Sequence, residues 1–257
     1  MNPSPKRLIV NADDCNLTTG VTEAILAAHQ KGIVSSTTFL INLPCDPQIV
    51  KKLLKQKHLG IGLHLNITLG KPLCPVSRIE SLVKEDAFKR KPVDVKAGHV
   101  YLEYEKQIRL FRKVFGKMPT HLDTHHQLHD LPFFMRIVSE LAGIYRLPVR
   151  RSSLMNTKKK QNLNLGLKPL KTTDFFFGDL NPEGYWRLPR LKAVIQNLPE
   201  GLSEIMCHPG KVDRHLRKLS SFTAGRANEL KVFCSVQILK AVQKQRIKLT
   251  HYGLCYT

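Results

Sequence analysis

Two carboxylates stand side by side near the start of the chain, Asp13 and Asp14, directly after the apolar run LIVNA. Far along the sequence come a lone histidine in GLHLN, His64, a dense cluster in HLDTHHQLH, and a histidine in CHPG, His208. Adjacent carboxylates can divide labour. One binds a cation while the other, its charge tempered by that cation, takes a proton. Imidazoles suit divalent metals, and a protonated imidazole can donate to a leaving group. The residue types therefore point to a metal-binding site beside a carboxylate that can take a proton.

These residues need a scaffold that gathers them. RLIVNA reads as a strand. Val21, Ala24, Ile25 and Ala28 follow helical spacing, with Thr18 or Thr19 as the cap and Lys31-Gly32 as the stop. IVSSTTFLI reads as the next strand, so the unit is strand–helix–strand with a parallel sheet implied. The rhythm continues: DPQIVKKLLKQKH helical, LGIGLHLNIT a strand, YLEYEKQIRLFRKVF a helix ended by Gly116, THLDTHH a strand, LPFFMRIVSELAGIY a helix, LPVRRSS a strand. After these come RLKAVIQNLPE as a helix, LSEIMCHPG as a strand, ELKVFCSVQILKAVQKQ as one helix, and a short strand near IKLTHYG. Two polar stretches, 71–98 and 157–184, break the rhythm and read as binding loops or lids. Repeated βα units in 257 residues predict a single-domain α/β barrel, with an open doubly wound sheet as the alternative. No glycine-rich nucleotide-binding loop is present.

Alternation along strands assigns faces. His64 and Asn66 share one face of their strand. His121, Asp123 and His125 share a face, as do Glu204, Met206 and His208; Asn11 sides with Asp13, and Asp14 with Ala12 and Val10. The ionisable residues cluster at the C-terminal ends of four strands, where parallel α/β folds build active sites. Each motif has a plainer reading: acidic residues beside a helix dipole, a core histidine, a solvated loop, a turn after a strand. All four would have to hold together. Cys207 points away from His208, which excludes a Cys–His dyad.

Composition narrows the field. The chain carries 41 basic and 20 acidic residues, a formal charge of +21, which favours anionic glycan or membrane surfaces. Only 7% is aromatic, without the interleaving that stacks bases, so nucleic acid is not an expected partner. No apolar run reaches membrane-spanning length, no signal peptide is read, and the six cysteines form no C-x-x-C pair. A cytoplasmic protein with reduced thiols is expected.

The ordered set NADD, GLHLNIT, PTHLDTHHQLH and EIMCHPG resembles the YdjC-like carbohydrate deacetylases, among them the chitooligosaccharide deacetylases, over nearly the whole chain (1–257). The resemblance implies an irregular (β/α) barrel of TIM-barrel type, a divalent metal, commonly Mg²⁺, and removal of N-acetyl groups from amino sugars. It also implies dimers. Ligand type suggests Zn²⁺, Co²⁺ or Ni²⁺. Carried over by position, Asp13 is the general base, Asp14, His64 and His125 hold the metal, and His208 is the general acid. Asp123 would orient an imidazole, Glu204 would do so near His208, and Arg150 would pair with Asp13. The family usually has Phe-Gly where this chain has Cys15-Asn16, and Asn tolerates a left-handed turn. Gln127 replaces a histidine of the family's HLDSHHHVH pattern, and the Lys-rich stretch 156–170 matches no pattern. Two other readings stay open: a non-catalytic basic module for glycan or membrane surfaces on the same fold, and a metal-dependent hydrolase of another bond, such as a phosphoester.

Overall fold

The computed structural model describes residues 5–152, 170–178 and 185–256. Most of the Lys-rich stretch therefore lies outside the described residues. In chain order the elements are β1 (Lys6–Cys15), α1 (Thr19–Lys31), β2 (Ser36–Phe39), α2 (Pro47–Leu54), β3 (Gly60–Leu65), β4 (Val83–Lys84), β5 (Ala87–Phe88) and α3 (Ala97–Phe115). They continue with β6 (Leu122–Thr124), α4 (Pro132–Tyr145), β7 (Phe175–Phe177), α5 (Leu188–Gln196), β8 (Gly201–Cys207) and α6 (Arg214–Leu219). The chain closes with α7 (Ala224–Phe233), α8 (Val236–Lys244), β9 (Lys248–Thr250) and α9 (Tyr252–Cys255). From β1 to α4 strands and helices follow the expected rhythm; beyond it β7 lies in the stretch 157–184 expected to be a loop, and α6, α7 and α8 follow one another without a strand between them. Among the described residues no helix is long and apolar enough to cross a membrane. The chain divides into two compact units, one from 1–39, 51–61 and 173–257, the other from 40–50 and 62–172.

In the first unit β1 is the central strand. It pairs in parallel with β8 from Lys6↔Gly201 to Ala12↔Cys207. Its other edge takes β9 low down (Arg7↔Lys248 to Ile9↔Thr250) and β2 higher up (Asn11↔Ser36, Ala12↔Thr37, Cys15↔Phe39). β7 adds to β8 in parallel. A strand covered on both faces should be apolar throughout, and Leu8, Ile9, Val10 and Ala12 have no exposed surface. The predicted face of α1, Val21, Ala24, Ile25 and Ala28, is buried, and Thr18 caps the helix by accepting from the Val21 N–H at 3.2 Å. The long C-terminal helix expected from the sequence is two helices. The chain breaks at Cys234-Ser235, and the Ser235 side chain caps α8 by accepting from the Ile238 N–H.

In the second unit β3 and β6 pair in parallel, with Leu63 opposite Leu122, His64 opposite Asp123 and Leu65 opposite Thr124. Of the segment LPVRRSS, the described residues 147–152 contribute one bridge, Val149 to Leu122, instead of a full strand. Helix α3 buries Val100, Tyr104, Ile108 and Phe111 as its periodicity predicts. The same face carries Glu103 and Gln107, both fully buried. They are there to satisfy loop backbone. Glu103 accepts from the Leu73 and Cys74 N–H groups, and Gln107 bridges the N–H and C=O of Asn66. The stretch 71–98 is not the structureless loop expected. It holds the antiparallel pair β4–β5 and two 3-10 turns.

Candidate active site

The adjacent aspartates sit inside β1, where alternation alone would send them to opposite faces. A β-bulge interrupts that alternation here. The pairing of β1 with β2 slips between Ala12 and Cys15, and Asp14 adopts a left-handed backbone (φ 64°). Asn16 follows at φ 75°, as expected of an asparagine at a left-handed turn. Both carboxylates are buried, 2% and 3% exposed. The Asn11 amide donates to Asp13 Oδ1 at 2.8 Å, as their shared strand face predicts. Asp14 Oδ2 receives the Arg226 guanidinium.

His208 stands in the loop after β8, half-buried, with Nε2 3.9 Å from Asp13 Oδ2. The two candidate catalytic groups, Asp13 and His208, are thus neighbours at the ends of adjacent strands. Glu229 on α7 holds this loop, accepting from the backbone N–H of His208 and from that of Trp186. Burial pushes the Glu229 carboxyl above its ordinary value, and the opposing pull of His208 and the two N–H groups does not cancel this. Glu204 was expected to support His208. It lies mid-strand opposite Ile9 and accepts a hydrogen bond from the Tyr252 hydroxyl.

In the second unit the register of β3 and β6 puts His64 directly across from Asp123. His64 Nδ1 donates to Asp123 Oδ1 at 2.7 Å, and Arg150 Nη1 donates to Asp123 Oδ2 at 2.9 Å. Burial works against the Asp123 charge, but His64 and Arg150 outweigh it and hold the carboxyl well below the usual carboxylate range. Asp123 was expected to share a face with His125, and Arg150 to pair with Asp13. Strand β6 ends at Thr124, so alternation no longer governs His125, and the Arg150 N–H bonded to the Leu122 carbonyl brings its side chain beside Asp123.

His125 opens a 3-10 turn in which His126 and Gln127 take left-handed backbones. Its Nδ1 lies 2.7 Å from the Thr68 hydroxyl, and its ring centroid is 5.5 Å from that of His64. The other histidines of HLDTHHQLH have separate duties. The His121 ring lies over Gly62, where a Cβ would come within 2.3 Å of it, and His126 stacks on His125. His129 packs inside with Nδ1 against the Thr124 hydroxyl, and burial, then the Arg150 charge, pulls it down to about 4.

The donor types of this unit, imidazole and carboxylate, are ones that divalent cations accept. Each imidazole is engaged through Nδ1, the Nδ1–H of His64 on a carboxylate. That tautomer leaves the His64 lone pair on Nε2, the usual arrangement of a metal-ligating histidine. Sequence reasoning did not find Arg226, Glu229 or Thr68. Arg226 and Glu229 are one turn apart on α7, in a stretch where a buried charge and a solvated one look alike.

A family model described as YdjC-like protein matches residues 7–244. The carbohydrate deacetylase of Geobacillus stearothermophilus is 33% identical over 257 residues, covering 98% of this chain and 99% of that one. The carbohydrate deacetylase of Vibrio cholerae O395 is 32% identical, covering 96% and 95%. A solved structure from Enterococcus faecalis V583 shares 31% identity with a TM-score of 0.84, covering 99% of this chain and 100% of the other. The family 4 carbohydrate esterase from Streptomyces lividans, at 10% identity and a TM-score of 0.55, covering 96% and 92%, is alike in fold alone. These likenesses give the chain the irregular (β/α)-barrel class that the sequence predicts. With the family model spanning nearly its whole length, the chain belongs to the YdjC-like protein family.

Proposed function

We propose that the chain is a metal-dependent carbohydrate deacetylase that hydrolyses the N-acetyl group of an amino sugar. The observation that carries this reading is the pair of buried imidazoles, His64 and His125, each engaged through Nδ1, in a chain whose end-to-end relatives are named carbohydrate deacetylases. It is an enzyme, a hydrolase acting on a linear amide C–N bond.

Asp14, His64 and His125 would hold the divalent metal. When bound, that ion supplies Lewis acidity toward the acetamide oxygen and lowers the pKa of water. Asp13 takes the proton of the attacking water, and the Asn11 amide fixes the orientation of its carboxylate. His208 in its protonated form gives a proton to the departing nitrogen, since an amide nitrogen does not leave as an anion. Asp123, anchored by Arg150, sets the tautomer and ring angle of His64. Arg226 pairs with Asp14 and holds its carboxylate in place.

The test is acetate release from a panel of N-acetylated sugars, with and without chelator, for the wild type and His125→Ala. The wild type should release acetate and lose that activity on chelation, and the variant should retain neither metal nor turnover. Undiminished turnover by His125→Ala would refute the assignment. Phosphate release from sugar phosphates without acetate release would favour a phosphoester hydrolase, and salt-sensitive glycan binding without either product would favour a binding module.

A further inference from the structure

Beside His208 the first unit carries an aromatic corner that no catalytic role accounts for. The Phe222 ring stands edge-on to the His208 ring, 5.8 Å between centroids, and Tyr185 lies 6.4 Å further along at a tilt of 58°. Both rings are half-buried. Phe222 is held from several sides. Its N–H donates to the Ser220 hydroxyl, and its carbonyl accepts from Arg226 Nε at 2.9 Å. The Arg226 guanidinium carbon sits 5.7 Å from the ring centre. Below lies Gly225, where a Cβ would come within 2.4 Å of the ring, so only glycine lets the ring rest there. Arg226 is 3% exposed, and its Nη1 has no hydrogen-bond partner among the described residues. A buried donor of this kind costs stability unless something accepts from it.

We propose that Phe222, backed by Tyr185, is the wall on which a pyranose ring stacks while its acetamide faces His208, with Arg226 holding the ring from behind through its Nε–H bond to the Phe222 carbonyl. A pyranose has one face of C–H groups and a rim of oxygens, and the corner offers a fixed π face next to the His208 imidazole. The wall deepens the deacetylase reading and rests on it for the identity of the sugar.

The experiment pairs kinetics with binding. Acetate release from N,N′-diacetylchitobiose is measured for the wild type, Phe222→Leu and Phe222→Trp, with N-acetylethanolamine as an acyclic control. Binding of cellobiose, which has no acetamide to cleave, is measured by calorimetry on the same proteins. Phe222→Leu keeps an apolar filler over Gly225. It should raise KM for the disaccharide about tenfold and weaken cellobiose by a similar factor, with kcat and the acyclic control little changed. Phe222→Trp should restore both. A merely structural ring would move the acyclic control as much as the disaccharide. Unchanged KM and cellobiose affinity in Phe222→Leu, or no cellobiose binding by the wild type, overturns the proposal. If the wild type releases no acetate from any substrate, the deacetylase reading fails, and the cellobiose arm still decides the wall.

Discussion

His64 and His208 are both candidate site histidines, yet they are held in opposite ways. His64 is 2% exposed, and its ring is braced by a carboxylate that is itself locked by a fully buried arginine. The His208 side chain is 21% exposed; its backbone is pinned by Glu229, and its ring meets the Phe222 edge and lies 3.9 Å from Asp13. A ligand must present one lone pair in one direction, so its ring should be fixed and its tautomer set. A proton donor must change charge during turnover, so it needs access to water and room to relax. The difference in bracing parallels the difference between the roles proposed for them.

The sharpest way to break this comparison is to remove the brace. Asp123→Ala leaves the Arg150 charge buried without the carboxylate and frees the His64 ring. It should cost roughly 3–5 kcal/mol, read by urea denaturation, together with turnover. The sign with pH follows from the depressed Asp123 value. Its carboxylate stabilises the fold above the ordinary carboxylate pKa, and that contribution is lost as pH falls through the depressed folded value. The gap between wild type and variant should therefore be full at neutral pH and begin to close only below about pH 3.9. A variant as stable as the wild type at neutral pH would mean that the Arg150–Asp123–His64 chain braces nothing.

His208→Ala tests the other half. The side chain is only half-buried, so stability should change by less than about 1 kcal/mol, while kcat should fall by roughly 10²–10⁴-fold. The expected split is large loss of rate with little loss of stability, the reverse weighting of Asp123→Ala. Equal losses in both readouts would place His208 among the structural histidines with His121 and His129.

The sequence made much of this legible, and the exceptions have physical causes. Helix faces such as Val21, Ala24, Ile25 and Ala28 were readable because burial repeats at the helical period. Asp13, Asp14, His64 and His208 were readable as candidates because ionisable residues at strand ends are costly without a purpose. What alternation could not supply was register between strands. That His64 faces Asp123, and that Arg150 lies beside Asp123, depends on which residues pair across β3 and β6 and on the bridge at Val149. The bulge at Asp14 was equally hidden, because it is a slip of one strand against another. The break at Ser235 was missed for a different reason. Apolar spacing runs through Phe233 and Ile238, and a single serine cap is a weak local signal beside it.

The smallest expected effect concerns Glu229, which separates support of the His208 backbone from chemistry at its ring. Its two carboxylate oxygens accept from two backbone N–H groups, those of His208 and Trp186. Glu229→Gln keeps one acceptor and turns an N–H₂ toward the other donor, leaving a buried N–H without an acceptor. A loss of about 1–3 kcal/mol in denaturation is expected, with activity down by roughly tenfold as the His208 loop loosens. The raised Glu229 value adds a pH signature. A group whose folded value is raised contributes stability fully below its unfolded pKa, and that contribution is lost as pH rises through the folded value. The wild type should therefore lose part of its stability between the ordinary glutamate range and the raised value, and the variant, with nothing to titrate there, should be flatter over the same window. If Glu229→Gln instead cost as much activity as His208→Ala with no change in that pH slope, Glu229 would be acting at the reacting atoms and not through the backbone of its neighbour.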